Sequence, residues 1–473
     1  MAKITAHGYP KMGPDRETKK AIEAYWKGTL SKPDLLKEID RIQIERLTTL
    51  KNANLDSVPS NDFSMYDIVL DTCATLGVVP DRYNWTGSTV DIDTYFAMAR
   101  GRQDAVACEM TKFFDTNYHY IVPELGQPIR LVENRPLKAY QFAKEQLGLH
   151  TKPVLVGPFT FVYLAKIIDG DTSVKATESP TFSKWVNECA VAYNQLLKEL
   201  QENGVTEVQI DEPALVMDIS TEEVDTLIAA YQTMTEGVDL SITVQTYYES
   251  LSHFKRITTE LPVNAIGLDF VVNADNMTQI QAHGFPSNKQ LQAGLIDGRS
   301  IWKTNIQKTK ALYEELSTIV DKDRIVVSNA APLFHLPVST EPEKGHIQDD
   351  VLALLAFANE RLQELGTFKA VLENKEAAAD QTAISHSPFA NTAVQEKLAA
   401  INEAKIVRTT PFKERYLKQM EALDLPLFPT TTIGSFPQTA ELRKKRAGWK
   451  NGSISNEDYE TYINTYIRDI VKL

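Results

Sequence analysis

Short apolar runs rich in β-branched residues recur along most of this chain, each followed by a longer segment of helical period. The runs are Ile4–Pro10, Leu55–Phe63, Tyr118–Pro123, Val154–Phe159, Val208–Pro213, Ile242–Tyr248, Ala265–Val271, Gln292–Asp297 and Arg324–Ala330. Helical patterns between them include Pro33–Asn52, Thr181–Asn203, Ser300–Ile319 and Ile347–Leu365. Strand and helix in alternation build a parallel sheet with crossover helices. A closed (β/α)8 TIM barrel needs eight strands, so one run is surplus. Tyr118–Pro123 is the segment expected to lie outside the barrel. Several runs end in polar residues: Asp62, Glu124, Asp211 with Glu212, Asp269, Asp297, and Ser328 with Asn329. That is the lining expected at the mouth of a barrel, although polar residues also end ordinary strands.

The 473 residues divide into an N-terminal barrel at 1–366, a helical connector at 367–426, and the incomplete start of a second barrel at 427–473. The connector is rich in Ala, Glu, Lys and Gln and contains the helical stretches Ala393–Ala404 and Pro411–Leu423. Leu427–Pro437 reads as a new strand running into a loop. The residues after Pro437 repeat the beginning of the chain. Glu17, Lys19-Lys20 and Trp26-Lys27-Gly28-Thr29-Leu30-Ser31 return as Glu441, Lys444-Lys445 and Trp449-Lys450-Asn451-Gly452-Ser453-Ile454-Ser455. A repeat at this distance points to duplication, with the second copy cut short.

Sixty-three acidic against 50 basic residues leave a net charge of −13, which argues against nucleic acid as a partner of the whole chain. The three cysteines are far apart, so no disulfide framework is expected. The N-terminus has no signal-peptide core, and the longest apolar stretch, Val351–Ala358, is too short to cross a bilayer. A cytoplasmic protein with no membrane partner is the expectation.

Four features bear on chemistry. Arg16, Lys19 and Lys20 sit within about one turn at the start of a helix, where cations and free N–H groups suit a carboxylate or phosphate ligand. A solvated basic face has the same pattern. Glu109–Tyr120 is dense in aromatics and includes Lys112, which could join an anion site; such aromatics also build cores. Asp211 and Glu212 could serve as acid and base, yet consecutive strand residues point to opposite faces unless the strand ends between them. The eight histidines include no pair at i,i+3 or i,i+4 and none within four residues of a cysteine, and no phosphate-loop or nucleophile-elbow motif is present.

Gly8-Tyr9-Pro10, Arg16–Ala21, Tyr25–Gly28, Asp62-Phe63, Glu109–Lys112, Asp115–Tyr120, Val208–Leu215, Gly294–Trp302 and Thr430–Thr439 together closely resemble the cobalamin-independent methionine synthases. The resemblance runs through the whole chain in order. It implies two (β/α)8 barrels joined by a helical connector, and transfer of a methyl group from 5-methyltetrahydropteroyltriglutamate to homocysteine without cobalamin. It further implies that Arg16, Glu17, Thr18, Lys19 and Lys112 bind the folate substrate, the cationic ones facing its polyglutamate tail. Ile433, Gly434 and Ser435 match the homocysteine/methionine-binding loop. The family's zinc ligands and catalytic histidine belong to the second barrel beyond the residues present, so no catalytic or metal residue is assigned here. The fragment is expected to be inactive alone, to hold no stoichiometric zinc, and to be monomeric. Asn329-Ala330-Ala331 departs from the family's Ser-Cys-Ser, and Asp211-Glu212 looks like the vestige of an ancestral site.

Overall fold

The computed structural model describes residues 2–170, 172–374, 391–401, 407–431, 434, 436 and 438–473. They fall into two compact units, 1–389 and 390–473. The strands of the first are β1 (Lys3–Ile4), β2 (Pro59–Ser60), β3 (Met110–Lys112), β4 (His119–Ile121), β5 (Glu124–Leu125), β6 (Lys152–Val156), β7 (Lys166–Asp169), β8 (Thr172–Lys175), β9 (Glu207–Asp211), β10 (Ser241–Gln245), β11 (Ala265–Asp269), β12 (Gln290–Ile296) and β13 (Ile325–Asn329). Eight form one parallel sheet in the order β1-β13-β12-β11-β10-β9-β6-β2. Its two edges meet: Thr5 bridges Ser57, and Asp56 donates its N–H to the Ile4 carbonyl at 2.9 Å while its carboxylate takes the Ile4 N–H at 2.7 Å. Each of the eight strands overlaps one of the eight runs expected to form the sheet, although β1, β6, β9, β10 and β12 begin one or two residues earlier, and Tyr118–Pro123 lies outside it, supplying β4 of the β3–β4 hairpin.

Parallel strands covered by helices must be apolar on the outward face, and Leu155, Val208, Ile210, Ile242, Val244, Ile266 and Leu268 are buried accordingly. The inward layer is unusually polar. Gln292 donates to Gln245, and Gln209 donates to Asp211 at 2.8 Å, so amides satisfy one another along the axis. Gly267 makes room for them, since a Cβ there would come 1.9 Å from Gln245 Oε1.

Three expectations need correcting. Ile347–Leu365 is two helices, Asp349–Leu352 and Ala358–Leu372, because Trp302 and Leu355 pair as an antiparallel bridge. The Leu354 carbonyl and Ala356 N–H, bonded to Lys303 and Ile301, are thereby withdrawn from a continuous helix. Glu124 does not line the sheet's mouth: it belongs to β5 in a separate three-stranded sheet and holds Arg82 through both oxygens. Leu427–Thr431, the described start of the expected new strand, is not a strand. A single strand has no partner for its backbone groups, and none of the described strands lies in the second unit.

The second unit does preserve the repeat. Its helices Ala440–Lys450 and Asn456–Lys472 correspond to Glu17–Trp26 and Lys32–Asn52 of the first. Gly28 and Gly452, at φ of 71° and 78°, end the first helix of each pair. Thr29 and Ser453 donate their N–H groups to the carbonyls of Ala24 and Gly448, and their hydroxyls to the same carbonyls at 3.0 and 3.1 Å. Ser31 and Ser455 then cap the second helix, accepting from Asp34 and Asp458 at 3.3 and 3.1 Å. Every pair is 424 positions apart. Bonds this alike at a constant offset are what duplication produces.

Candidate functional site

The chain leaves β1 through His7 and Gly8. At φ +68°, and with Pro332 Cβ only 2.4 Å from where a Cβ would lie, position 8 admits glycine alone. A loop then crosses to the helix Glu17–Trp26. Gly13 turns it over the Glu17 side chain, whose carboxylate accepts the Asp15 N–H at 3.1 Å. Arg16 sits at the helix N-cap in the left-handed region with no side-chain cap. Thr18 is buried and donates its hydroxyl to the Lys11 carbonyl at 2.6 Å, anchoring the first turn from inside. Arg16, Lys19 and Lys20 face solvent, Lys19 lying 3.8 Å from Glu23.

Lys112 is exposed at the end of β3. The hairpin beyond it is tied down by hydrogen bonds: Thr116 donates to the Phe113 carbonyl at 2.6 Å, and Arg299 donates to the Asp115 carbonyl at 2.7 Å. Its aromatics pack against residues that follow the sheet strands. Phe114 lies 6.4 Å from Tyr248 beyond β10, and Tyr118 lies 4.9 Å from Phe334 beyond β13. The hairpin therefore stands over the C-terminal ends of the strands, the end from which the Arg16–Lys20 loop also departs. Of the expected site residues, Arg16, Lys19 and Lys112 offer solvent-facing cations, whereas Thr18 and Glu17 use their polar atoms to shape the loop. Gly434 is exposed with φ of 100°; Ile433 and Ser435 lie outside the described residues.

Asp211 and Glu212 do point apart. Asp211 faces inward, accepts from Tyr247 Oη at 3.2 Å, and is pushed by burial to a pKa of about 7. Glu212 faces outward and is fully buried. It accepts from the backbone N–H groups of Phe159 and Thr160 at 3.2 and 2.7 Å, and from Tyr231 Oη at 3.1 Å. Asp211 and Asp62 line a cavity of about 40 Å³, room for roughly three waters but not for an organic substrate. Asp62 is engaged by Arg46 at 2.6 Å. His7, stacked on Tyr247 with its ring buried, is held neutral, its pKa lowered to about 3 by burial. Asp269 and Asp297 cap their own loops, and Asn329 grips the His7 backbone through both amide atoms.

Among the described residues no group of three or more His, Cys, Asp or Glu is arranged to hold a metal ion. The cysteines are buried, and burial pushes their thiols upward, opposite to what a metal-bound thiolate needs. Zinc therefore does not fit the residues described. Sequence reasoning passed over Lys11, Asp67 and Arg46, the buried partner of the strand-end residue Asp62. The signal of Lys11 and Asp67 was a lysine and an aspartate in loops after predicted strands, indistinguishable in sequence from solvated loop charges.

Residues 3–321 match the family described as "Cobalamin-independent synthase, N-terminal domain", and residues 428–473 match "Cobalamin-independent synthase, Catalytic domain". The chain is 43% identical over 472 residues to a protein of Thermodesulfovibrio yellowstonii named 5-methyltetrahydropteroyltriglutamate--homocysteine methyltransferase, covering 100% of this chain and 62% of that protein. A protein of the same name from Bacillus subtilis is 41% identical over 473 residues, covering 97% of this chain and 60% of its own length. The chain thus spans about 60% of the length of the curated relatives it matches. Among solved structures, a B12-independent methionine synthase from Shewanella sp. W3-18-1 matches with a TM-score of 0.52 at 17% identity, over 73% of this chain and 91% of that one. A putative vitamin-B12 independent methionine synthase from Listeria monocytogenes gives 0.52 at 14% identity, over 79% and 99%. The likeness to these structures shows an α/β fold; the family match over most of its length shows that the chain belongs to the cobalamin-independent synthases.

Proposed function

We propose that the first unit is a closed (β/α)8 barrel that binds the polyglutamate tail of 5-methyltetrahydropteroyltriglutamate, within an enzyme that passes its methyl group to homocysteine to make methionine. Closure is supported by the Thr5–Ser57 bridge between the sheet's edges. The observation that carries the functional reading is the placing of Arg16, Lys19, Lys20 and Lys112 around one end of the sheet, in a chain whose net charge is −13. Carboxylates of a γ-linked tail seek such cations, and Arg16 can take one in bidentate fashion. Thr18 and Glu17 hold the loop in the conformation that presents them.

In this reading Ile433, Gly434 and Ser435 belong to the homocysteine loop, with backbone N–H groups available to an amino-acid carboxylate. None of the described residues is assigned to zinc. The chain's own contribution is binding and orientation, with no turnover alone. No helix among the described residues is long and apolar enough to cross a membrane; a cytoplasmic monomer with no nucleic-acid partner is our reading. A barrel hydrolase using Asp211 or Glu212 is disfavoured by the ~40 Å³ cavity and by the outward turn of Glu212.

Calorimetric titration with pteroylmonoglutamate and pteroyltriglutamate at low and high salt tests the proposal. The triglutamate should bind at least tenfold more tightly, an advantage that shrinks with salt. Equal affinities at low salt would overturn it.

A further inference from the structure

Arg16–Lys20 and Lys112 belong to segments about a hundred residues apart, and what joins them is Lys11. Its ammonium donates to the Tyr66 carbonyl and lies 5.3 Å from the centroid of the Tyr118 ring. Although the residue as a whole is only half-buried, the ammonium is enclosed, and burial pulls its pKa down against the opposing charges of Asp67 and Asp71. A desolvated ammonium persists only among such partners.

Lys11 and Asp67 between them reach both limbs, and the Lys11 ammonium lies over the Tyr118 ring that Asp67 holds. On one side the Lys11 carbonyl accepts the Thr18 hydroxyl and so fixes the helix start that carries Arg16, Lys19 and Lys20. On the other, Asp67 accepts from Tyr118 Oη at 2.8 Å and from Ile121 N at 3.0 Å, which pins β4 and with it the hairpin of Lys112. Asp67 also accepts the Leu70 N–H at 2.8 Å, so it is itself fixed at the N-terminus of the helix Ile68–Leu76. None of these bonds uses an exposed cation. Arg16, Lys20 and Lys112, together with Lys19 in its exposed 3.8 Å pair with Glu23, face solvent, while the buried charges hold the two limbs.

We propose that Lys11 is a positioning residue which, with Asp67 and Tyr118, locks the Arg16–Lys20 helix start to the Lys112 hairpin at a fixed separation matched to a γ-linked oligoglutamate chain. The inference rests on the polyglutamate reading above and names the residue on which chain-length selectivity depends. A single carboxylate can meet one limb alone. A chain of several gains only if the second limb is already in place, because ordering it at the moment of binding consumes the added interaction energy.

The test uses the 473-residue chain in four forms: wild type, Lys11→Met, Lys11→Arg and Tyr118→Phe. Amide hydrogen exchange is read over 12–20 and 110–121, with β9 as the internal control. Affinities for pteroylmonoglutamate and pteroyltriglutamate are measured in parallel. Lys11→Met should speed exchange at least tenfold in both segments while β9 stays protected, and should cut the triglutamate preference at least fivefold with monoglutamate affinity within twofold of wild type. Lys11→Arg should restore part of the preference. If Lys11→Met does not fold, Tyr118→Phe, which frees Asp67 but keeps the ring, should still loosen 110–121 and lower the preference. Faster exchange confined to 12–20, or an unchanged preference in a folded variant, overturns the proposal. Absence of any preference in wild type overturns instead the polyglutamate reading on which it rests.

Discussion

Glu212 offers the sharpest test of whether the Asp-Glu-Pro segment is a reacting pair or part of the scaffold. Its carboxylate fills the turn in front of the helix Pro158–Tyr163 and accepts from three buried donors, Phe159 N, Thr160 N and Tyr231 Oη. Glu212→Ala strands all three, and a buried donor left unpaired costs ~1–3 kcal/mol. The expected loss is therefore ~3–9 kcal/mol, a large part of the ~5–15 kcal/mol that holds a domain together. Glu212→Gln keeps one acceptor oxygen but turns an NH2 group toward a donor, so about 2 kcal/mol should go. The pH dependence adds a second check. Burial raises this carboxyl from 4.5 to about 7. The folded state then holds the proton more tightly than the unfolded one, so its contribution is fully present below pH 4.5 and is lost as pH rises through 7. At ~1.4 kcal/mol per pH unit the span amounts to ~3 kcal/mol, and Gln cannot titrate. Urea denaturation of wild type and Glu212→Gln should give a stability difference larger at about pH 5 than at about pH 8; Asp211 titrates in both proteins and cancels. A Glu212→Ala loss under about 1 kcal/mol, or a difference that ignores pH, would refute the structural assignment.

Gly157→Ala should disturb the same turn from the other side, since a Cβ would fall 2.0 Å from Glu212 Cδ; a loss of ~1–3 kcal/mol in urea is expected. His7 carries the opposite linkage to Glu212: its pKa is lowered to about 3, so it destabilises the fold as pH falls from 6.5 through 3, and His7→Leu should flatten that limb of the stability profile. Ser31→Ala and Ser455→Ala each remove a helix cap, and circular dichroism melts should register about 1 kcal/mol for the first. For the second, the readout is faster amide exchange in 456–460. Arg16→Gln combined with Lys112→Gln should weaken triglutamate binding at least tenfold while sparing monoglutamate.

Much of the architecture was legible because the period of a parallel strand and that of its crossover helix differ, and both are written locally. All eight sheet strands overlap predicted runs, their starts displaced by no more than a residue or two where the strand begins early, and Tyr118–Pro123 falls outside the sheet. The failures share one cause. Ile347–Leu365 has an unbroken helical pattern, yet the backbone near Leu355 finds partners at Ile301 and Lys303, a pairing no local pattern encodes. Glu124 ends a strand-like run as Asp211 does, but Arg82 draws it into another sheet. Leu427–Thr431 has strand composition, yet none of the described strands lies in its unit. At the candidate site, the exposed cations could be named from their spacing and the family resemblance, because exposed groups owe little to their neighbours. Lys11 could not be.

By itself, then, the sequence determined the order of strands and helices, the repeat of the chain's beginning after Pro437, the basic helix start, and the opposite facing of Asp211 and Glu212, all consequences of local pattern and chain geometry. Only the tertiary structure decided which charges are buried and what each one faces. Lys11 and Lys112 are both single lysines beside aromatics in the sequence; one is enclosed by Tyr66, Asp67 and Tyr118, while the other stands in water. Whether a charge serves a ligand or holds the fold depends on its desolvation and its partners, and those are supplied by residues far along the chain.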